Sequence, residues 1–419
     1  MSLQRVVITG LGAITPIGNS VADFWNQLID GKSGCANITS FDTSLFRTKF
    51  ACEVKNYNAL DFFDKKELKK LDLFSQFAHV AADEAIKDSQ LLDFADLNKK
   101  KIGVLFTSGF GGLNTFEEEA FQYYQNGKNP RYISPFFIPR TLINLMSGNI
   151  SIKYGFKGMN FSVVAACASS SNALIDAMNY IRLGKADALV VGGAEAAITQ
   201  LGIGAFGAMK ALSERNDDPQ TASRPFDNDR DGFVMAEGAG CMIVESLEHA
   251  KKRGAKIYAE LVGGAMNADA YHITAPNPTG ESIIDVMQDA LEDANLKPTQ
   301  IDYINVHGTS TPLGDVAEIN AIRNVFAEHV YDLNISATKS MTGHLLGAAG
   351  IVEAIVSVLA LQQNMVPPTI NHFTDDVDFD KKINFTFHQK QEKIINAVLS
   401  NNFGFGGHNT SLVFKKYVD

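Results

Sequence analysis

Short apolar runs alternate with amphipathic stretches along most of this chain. Residues 5–12 and 101–107 are apolar runs closed by glycine or polar residues, and each predicts a buried strand. Residues 161–166 predict another strand, after which apolar residues recur at helical spacing until Gly184. Residues 187–193 then predict a strand parallel to the one before the helix. Strands that alternate with helices in this way are typical of an α/β fold.

The second half of the chain follows the same alternation in outline. The apolar stretch 345–361 predicts a long buried helix, and residues 400–409 predict a glycine-rich loop. The remaining elements of this half are a helix at 282–293 and strands at 256–262, 302–306, 333–338, 394–399 and 410–414. We therefore expect two architecturally similar halves, residues 1–255 and 256–419, although no strict sequence period is visible.

The composition is that of an ordinary globular protein. The 419 residues are 45% hydrophobic and 20% charged, which is enough to bury a sizeable core. No basic amino-terminal segment with an apolar stretch and no run of eighteen apolar residues occurs, so we expect a cytoplasmic protein without a membrane span. The net charge of −10 argues against a nucleic-acid surface, although a local basic patch could meet an acidic partner. The four cysteines lack CxxC spacing, and we expect reduced thiols.

One cysteine stands where a nucleophile would be placed. Cys167 lies between the strand predicted at 161–166 and the following helix. Free N–H groups and the positive end of the helix dipole lie at such a turn, and both stabilise a thiolate. The alternative is that Cys167 is a small apolar filler, which is the commoner role of a cysteine.

Three further reactive residues follow predicted strands in the second half. His307 ends one strand, Lys339 follows the next, and His344 precedes the long apolar helix. A single histidine at such a position is more often structural, but open α/β sheets bind ligands at these strand ends. A thiolate can hold an acyl group covalently, and backbone N–H donors, one of them near Phe405, can stabilise the oxyanion. Two neutral imidazoles suit stabilisation of an enolate, whereas their spacing does not suggest a zinc pair.

Other segments allow more than one interpretation. Phe110 is the only large side chain in a glycine-rich loop, so it either fills a gap or closes the end of an apolar pocket. Residues 133–140, which include Phe137, fit an interface, a pocket wall or a core loop. Residues 62–70 carry four lysines at the start of a helix expected to continue to about residue 89, and such a charge run is usually a solvated surface.

The motifs together resemble those of a known family. VVAACASSSNA around Cys167, NVHGTSTPLGD around His307, SATKSMTGHLLGAAG around Lys339 and His344, and NNFGFGGHN near the end are similar to the elongating β-ketoacyl-acyl carrier protein synthases. The resemblance covers essentially the whole chain and is strongest to the synthase II group. It implies an α/β thiolase-like fold with two duplicated βαβαβαββ halves in a five-layer αβαβα arrangement. It also implies an acyltransferase that works as a homodimer without a cofactor or metal, with acyl carrier protein as its partner.

The resemblance assigns roles to individual positions. Cys167 would take the acyl chain, and His307 and His344 would stabilise the enolate formed as malonyl-carrier protein loses carbon dioxide. Lys339 would orient or tune the histidines, and the N–H groups of Cys167 and Phe405 would form the oxyanion hole, with the Phe405 side chain as a gate. The remaining assignments are Glu353 as a buried supporting residue, Phe110 and Phe137 at the acyl chain, Thr309 and Thr311 at the pantetheine arm, and Lys69, Lys70 and Lys210 at the carrier protein.

Three positions depart from the family pattern. ASSSNA follows the nucleophile where a threonine, serine, glycine sequence is usual, and His408 stands in place of a threonine. Phe110 replaces a smaller aliphatic residue associated with acyl-chain length. Because a bulkier ring should shorten or divert the pocket, we predict an altered preference for long acyl chains.

Several related functions remain as alternatives. A synthase of a secondary polyene or polyketide pathway would use the same chemistry on other chains. A degradative thiolase is less expected, because it needs a second cysteine near the carboxyl terminus, which NNFGFGGHN lacks. An initiating synthase is also disfavoured, because it pairs the cysteine with a histidine and an asparagine, whereas this chain has His344 as a second histidine. A non-catalytic partner subunit that sets chain length is disfavoured by the retention of Cys167, His307, Lys339 and His344.

Overall fold

The computed structural model describes residues 3–418 as an α/β protein built around one long sheet. The strands are β1 (Val6–Ile14), β2 (Ala36–Asn37), β3 (Phe50–Ala51), β4 (Ile102–Thr107), β5 (Asn160–Phe161), β6 (Ala188–Glu195), β7 (Gly238–Ser246), β8 (Ala259–Ala268), β9 (Tyr303–Asn305), β10 (Asn334–Ser336), β11 (Met365–Val366), β12 (Gln391–Glu392), β13 (Ala397–Gly404) and β14 (His408–Lys415).

Helices connect most of the strands. They are α1 (Val21–Ile29), α2 (Lys65–Leu68), α3 (Leu73–Ser89), α4 (Leu113–Gln125), α5 (Phe137–Thr141), α6 (Asn144–Tyr154), α7 (Ser169–Arg182), α8 (Gln200–Ala208), α9 (Leu247–Lys252), α10 (Glu281–Asp293), α11 (Pro312–Phe326), α12 (Lys339–Thr342) and α13 (Ala349–Gln363). The 3-10 turns Ala166–Ala168 and Leu346–Ala348 lead directly into α7 and α13.

The sheet consists of two five-stranded halves with the same strand order. The first half runs β5-β4-β6-β7-β1 and the second runs β10-β9-β13-β14-β8. In both halves the first three strands are parallel and the last two join antiparallel. The halves meet where β1 pairs antiparallel with β8, with Val7 opposite Glu260 and Ile8 opposite Ala259. Equivalent strand ends therefore recur in the two halves.

Helices cover the sheet in layers. The helices α7 and α13 pack against each other and against strands of both halves, while α3 covers the first half from outside and α10 covers the second. Residues of α13 from Ala349 to Leu361 are all buried, because this helix has protein on every side. Residues 346–363 are long and apolar enough to cross a membrane by composition alone, but 89% of that stretch is buried inside the protein, as expected of a core helix.

The structure corrects three of the expected elements. The strand expected at 161–166 is limited to Asn160–Phe161, because the chain leaves the sheet before it reaches the cysteine turn. The loop expected at 400–409 is mostly a hairpin, since Gly404 of β13 pairs with His408 of β14. The helix expected through residues 62–89 is broken, because the side chain of Asp72 accepts a hydrogen bond from the Phe74 N–H and starts α3 anew. The division at residues 255 and 256 falls between α9 and β8 and stays a prediction.

Candidate active site

A cavity of about 550 Å³ opens where strands of the two halves end. Its walls include Cys167, His307, His344 and Phe405. Cys167 lies in the turn Ala166–Ala168 that follows β5 and precedes α7, and His307 follows β9. His344 lies between α12 and the turn Leu346–Ala348, and its N–H donates to the carbonyl of Val234 at 2.7 Å. Residues far apart in the sequence thus surround one space, as their positions at strand ends predicted.

The backbone around Cys167 is arranged to stabilise negative charge. The N–H groups of Phe405 and of Cys167 itself both donate toward the sulfur and lower its pKa. A Cβ atom at Gly404 would lie 3.1 Å from the Cys167 nitrogen and 2.6 Å from the Ala165 carbonyl oxygen. Only glycine therefore lets the β13–β14 hairpin approach the cysteine turn this closely.

The environment of Cys167 raises the pKa of its thiol, whereas the sequence predicted a low-pKa thiolate. Burial raises the pKa of the Cys167 thiol to about 12, and the charge of Lys339 and the two N–H groups offset this only in part. The helix dipole was the basis of the sequence prediction, but removal of the sulfur from water has the larger effect. The thiol is therefore protonated at neutral pH, and its proton must leave as it attacks.

The two histidines form an edge-to-face pair of neutral rings. Their ring centroids are 5.3 Å apart and their planes lie at 87°. Burial lowers the pKa of both rings well below the usual value, and the charge of Lys339 lowers both further. A neutral imidazole keeps one N–H as a donor, so the pair can donate two hydrogen bonds to an oxygen that gains charge.

Lys339 is a buried cation next to His307. Its Nζ donates to the His307 carbonyl oxygen at 2.6 Å and to Oε1 of Glu353 at 2.5 Å. Both side chains of this ion pair are almost fully buried. Lys339 thus holds the backbone of one histidine, and its charge adds to the effect of burial that keeps both rings neutral. Its supporting role and that of Glu353 stay predictions.

A second buried glutamate holds the same histidine, and sequence reasoning missed it. Oε1 of Glu318 accepts a hydrogen bond from the His307 N–H and Oε2 accepts one from the Gly308 N–H, each at 2.9 Å. Burial raises the pKa of Glu318 to about 7. The signal that could have found Glu318 is an acidic residue between Ala317 and Ile319 on the apolar face of a helix.

Aromatic rings line one side of the cavity. The Phe110 and Phe206 centroids are 5.8 Å apart, and Phe206 lies 6.3 Å from Phe405 and 5.4 Å from Phe233. Phe110 lines the cavity, and its closing the end of an apolar pocket stays a prediction. Sequence reasoning did not find Phe206 or Phe233, since a single buried aromatic residue is indistinguishable from an ordinary core residue.

The remaining expected site residues divide into two groups. Thr309, Thr311 and Lys210 line the cavity, and the hydroxyl oxygens of the two threonines are 3.0 Å apart. Phe137 does not line this cavity and instead lies in α5 beside Phe116, with centroids 6.1 Å apart. Lys69 and Lys70 are exposed in the turn between α2 and α3, away from the cavity walls. Within residues 3–418 no three His, Cys, Asp or Glu side chains gather as a metal site requires.

Comparison with known proteins identifies the family. Residues 3–250 match the family described as "Beta-ketoacyl synthase, N-terminal domain", and residues 258–373 match "Beta-ketoacyl synthase, C-terminal domain". The chain belongs to the beta-ketoacyl synthase family. Its members are condensing enzymes of the acyltransferase type, so the predicted family and enzyme class are confirmed.

Full-length relatives support the same assignment. The chain is 49% identical over 414 residues to 3-oxoacyl-[acyl-carrier-protein] synthase 2 of Synechocystis sp., covering 99% of this chain and 98% of the relative. It is 48% identical over 419 residues to the enzyme of the same name from Coxiella burnetii, covering 100% of both chains.

Solved structures of beta-ketoacyl synthases confirm the thiolase-like αβαβα fold. A ketosynthase in complex with a type II polyketide synthase acyl-carrier protein superposes with a TM-score of 0.92 at 34% identity, covering 99% of this chain and 100% of that chain. A beta-ketoacyl synthase from Burkholderia phymatum superposes with a TM-score of 0.91 at 32% identity, covering 99% of this chain and 100% of that chain.

Proposed function

We propose that this enzyme is a β-ketoacyl-acyl carrier protein synthase that lengthens acyl chains by two carbons in fatty acid biosynthesis. The observation that carries the proposal is the single cavity shared by a thiol, two neutral imidazoles and two N–H groups directed at the sulfur. These are the groups that a decarboxylating Claisen condensation requires. The names of the full-length relatives support the fatty acid pathway.

The first half-reaction transfers the acyl group to Cys167. The sulfur attacks the thioester carbonyl of acyl-carrier protein, and the N–H groups of Cys167 and Phe405 stabilise the tetrahedral oxyanion. The carrier thiolate leaves when the carbon–sulfur bond breaks and takes up the proton that Cys167 loses. Covalent capture frees the carrier site for the second substrate.

The second half-reaction forms the carbon–carbon bond. Malonyl-carrier protein loses carbon dioxide, and His307 and His344 donate hydrogen bonds to the enolate oxygen that remains. The enolate carbon attacks the acyl thioester on Cys167, and the oxyanion again lies at the two N–H groups. The carbon–sulfur bond then breaks, and the cysteine sulfur leaves as a thiolate that takes up a proton from water to restore the resting thiol. The product is a β-ketoacyl chain on the carrier protein, longer by two carbons.

Acyl carrier protein is the partner in this proposal. Thr309 and Thr311 line the cavity, where they can bind a pantetheine arm through their hydroxyl groups, and Lys210 lies on the same wall. Lys69 and Lys70 supply further exposed positive charge. Because the enzyme carries a net charge of −10, an acidic carrier requires such a local basic surface. One structural neighbour was solved in complex with an acyl-carrier protein.

The proposal includes a cytoplasmic homodimer. Strand β5 lies at one end of the sheet and packs against α6. The two helices that precede α6, α4 and α5, expose large apolar side chains, among them Phe116, Phe121 and Ile138. An exposed sheet edge beside an apolar surface favours pairing with a second copy. Residues 346–363 form a buried core helix, which is compatible with the cytoplasmic location that we propose.

Intact-protein mass spectrometry tests the reaction. We expect acyl-carrier protein to leave an acyl adduct on Cys167, and malonyl-carrier protein then to release a ketoacyl product two carbons longer. Cys167→Ala should give no adduct, whereas Cys241→Ala, at a fully buried cysteine of β7 away from the cavity, should be acylated normally. An adduct at another residue, or product formation by Cys167→Ala at the native rate, would contradict the proposal.

A ketosynthase of a secondary polyketide pathway is the second candidate. Two observations favour it. One structural neighbour is a polyketide ketosynthase, and Phe110 lines the cavity at a position where the family usually has a smaller aliphatic residue. The same mass measurement separates the two functions when malonyl-carrier protein is the only extender and no reductase is present. A fatty acid enzyme should stop after one extension, whereas a polyketide enzyme should extend the unreduced chain repeatedly.

A further inference from the structure

Glu195 is a fully buried carboxylate at the carboxyl end of β6, outside the roles described above. Its Oε1 accepts hydrogen bonds from the Ser108 hydroxyl at 2.7 Å and from the Phe110 N–H at 3.2 Å. Its Oε2 accepts from the Gly109 N–H at 2.8 Å and from the Gly347 N–H at 3.0 Å. One side chain thus binds three consecutive residues of the loop that carries Phe110.

The four partners of Glu195 all donate. The Ser108 hydroxyl accepts from the Gly111 N–H at 2.8 Å, so its own hydrogen is directed to Glu195. Burial raises the pKa of Glu195, and the four donors act in the opposite direction. An ionised carboxylate satisfies every donor, whereas an amide of the same shape would turn an NH₂ group toward N–H and O–H groups.

The same carboxylate joins the Phe110 loop to the turn after His344. A Cβ atom at Gly347 would lie 2.3 Å from the Gly109 nitrogen and 2.9 Å from Oε2 of Glu195. The two backbones are therefore in contact, with the carboxylate between them. Gly347 belongs to the turn Leu346–Ala348, two residues beyond Leu345 and three beyond His344.

We propose that Glu195 is a positioning residue for acyl-chain specificity, holding the Ser108–Phe110 loop so that the Phe110 ring stands at the wall of the cavity. This inference rests on the proposed function, because it requires an acyl chain on Cys167. Glu195 acts on chain length through Phe110 and does not contact the reacting atoms, while its charge raises the pKa of Cys167 equally for every substrate. Loss of its charge releases the loop, and the cavity then admits longer chains.

The test compares kcat/KM for acyl-carrier protein loaded with a long acyl chain and with a short one, in matched variants of the enzyme. We expect Glu195→Gln to raise the long-to-short ratio on the order of fivefold, mainly through KM for the long substrate. Ser108→Ala, which removes one donor, should shift the ratio in the same direction by less. In a Phe110→Gly background, which alone should favour the long chain, Glu195→Gln should change the ratio no further.

Glu84→Gln is the matched control, since Glu84 of α3 accepts hydrogen bonds from the Ala13 and Val21 N–H groups and lies outside the cavity. It should lower stability without changing the ratio. The inference is overturned if folded Glu195→Gln and Ser108→Ala proteins keep the native ratio, or if Glu195→Gln changes the ratio equally in the Phe110→Gly background. Absence of any acyl adduct on native Cys167 would instead overturn the proposed function.

Discussion

The protonation states of the reactive residues in the cavity are determined mainly by burial. Removal from water raises the pKa of Cys167 and lowers those of His307 and His344, so all three are neutral at pH 7. Lys339 is the buried cation among them, and its charge is balanced by Glu353. The site therefore holds uncharged donors around a protonated thiol until substrate arrives.

The buried ion pair should be essential for stability as well as activity. Lys339→Met leaves Glu353 buried without its cation. We expect the free energy of unfolding, measured by urea denaturation, to be about 3–5 kcal/mol lower than that of the native protein. Lys381→Met is the control, because Lys381 pairs with Asp375 at the surface and its loss should cost at most about 1 kcal/mol. Equal effects of the two substitutions would contradict this account of the pair.

The raised pKa of Cys167 predicts how its alkylation depends on pH. The thiolate is the reactive form, and its fraction grows about tenfold per pH unit while the pH is below the pKa. With a pKa of about 12, the iodoacetamide rate at Cys167 should still be rising at pH 10. Since Lys339 lowers this pKa, Lys339→Met should react more slowly at each pH. A rate that levels off near pH 7 would show that the thiolate forms in the free enzyme.

The sequence singled out the residues expected to carry the chemistry but not the residues that hold them in place. Cys167, His307, Lys339 and His344 stand out because four reactive side chains rarely gather in the segments that follow three strands, here β5, β9 and β10. Glu195 and Glu318 act through backbone N–H groups whose closeness depends on how loops fold against helices. The raised pKa of Cys167 could not be predicted either, because the sequence shows that α7 follows the cysteine but not how the surrounding residues remove the sulfur from water.

At the level of elements, the presence of most strands and helices was predictable from the sequence, whereas the residues at which they begin and end were not. The apolar runs marked β1, β4 and β6 because these strands are buried on both faces. Glycines around Phe405 suggested a loop, but pairing of β13 with β14 extends almost to the turn at Phe405. Strand pairing in a hairpin uses backbone groups, so the glycine-rich composition of this segment did not reveal the hairpin.

This hairpin should control the oxyanion hole through Gly404. In Gly404→Ala the new Cβ would meet the Ala165 oxygen at 2.6 Å and the Cys167 nitrogen at 3.1 Å, so the hairpin must move away from the cysteine. We expect acylation of Cys167 to slow by about 10²-fold, as for loss of one oxyanion donor. Gly207→Ala in α8, where a Cβ meets nothing within 4 Å, should acylate normally. Normal acylation by a folded Gly404→Ala protein would contradict a role for the hairpin.

At the level of the whole molecule, duplication explains where the cavity lies. The two halves of the sheet share one strand order, so the strand end that leads to Cys167 in the first half corresponds to the strand end that leads to Lys339 in the second. The central helices α7 and α13 begin beside these positions and pack together. The nucleophile and the groups that assist it are thus brought together from the two halves of one chain.

The free edge of this long sheet predicts the oligomeric state. Val164 is 55% exposed just beyond β5, at the end of the sheet, and an apolar side chain there fits pairing with a second copy. We expect the native enzyme to sediment in the ultracentrifuge at twice the mass of one chain. Val164→Asp should shift it toward the monomer, because a dimer would bury the new charge. Val377→Asp places the same charge at a valine that is 97% exposed elsewhere, and it should leave the dimer intact. A native monomer, or equal sedimentation of both variants and the native protein, would show that this edge does not form the interface.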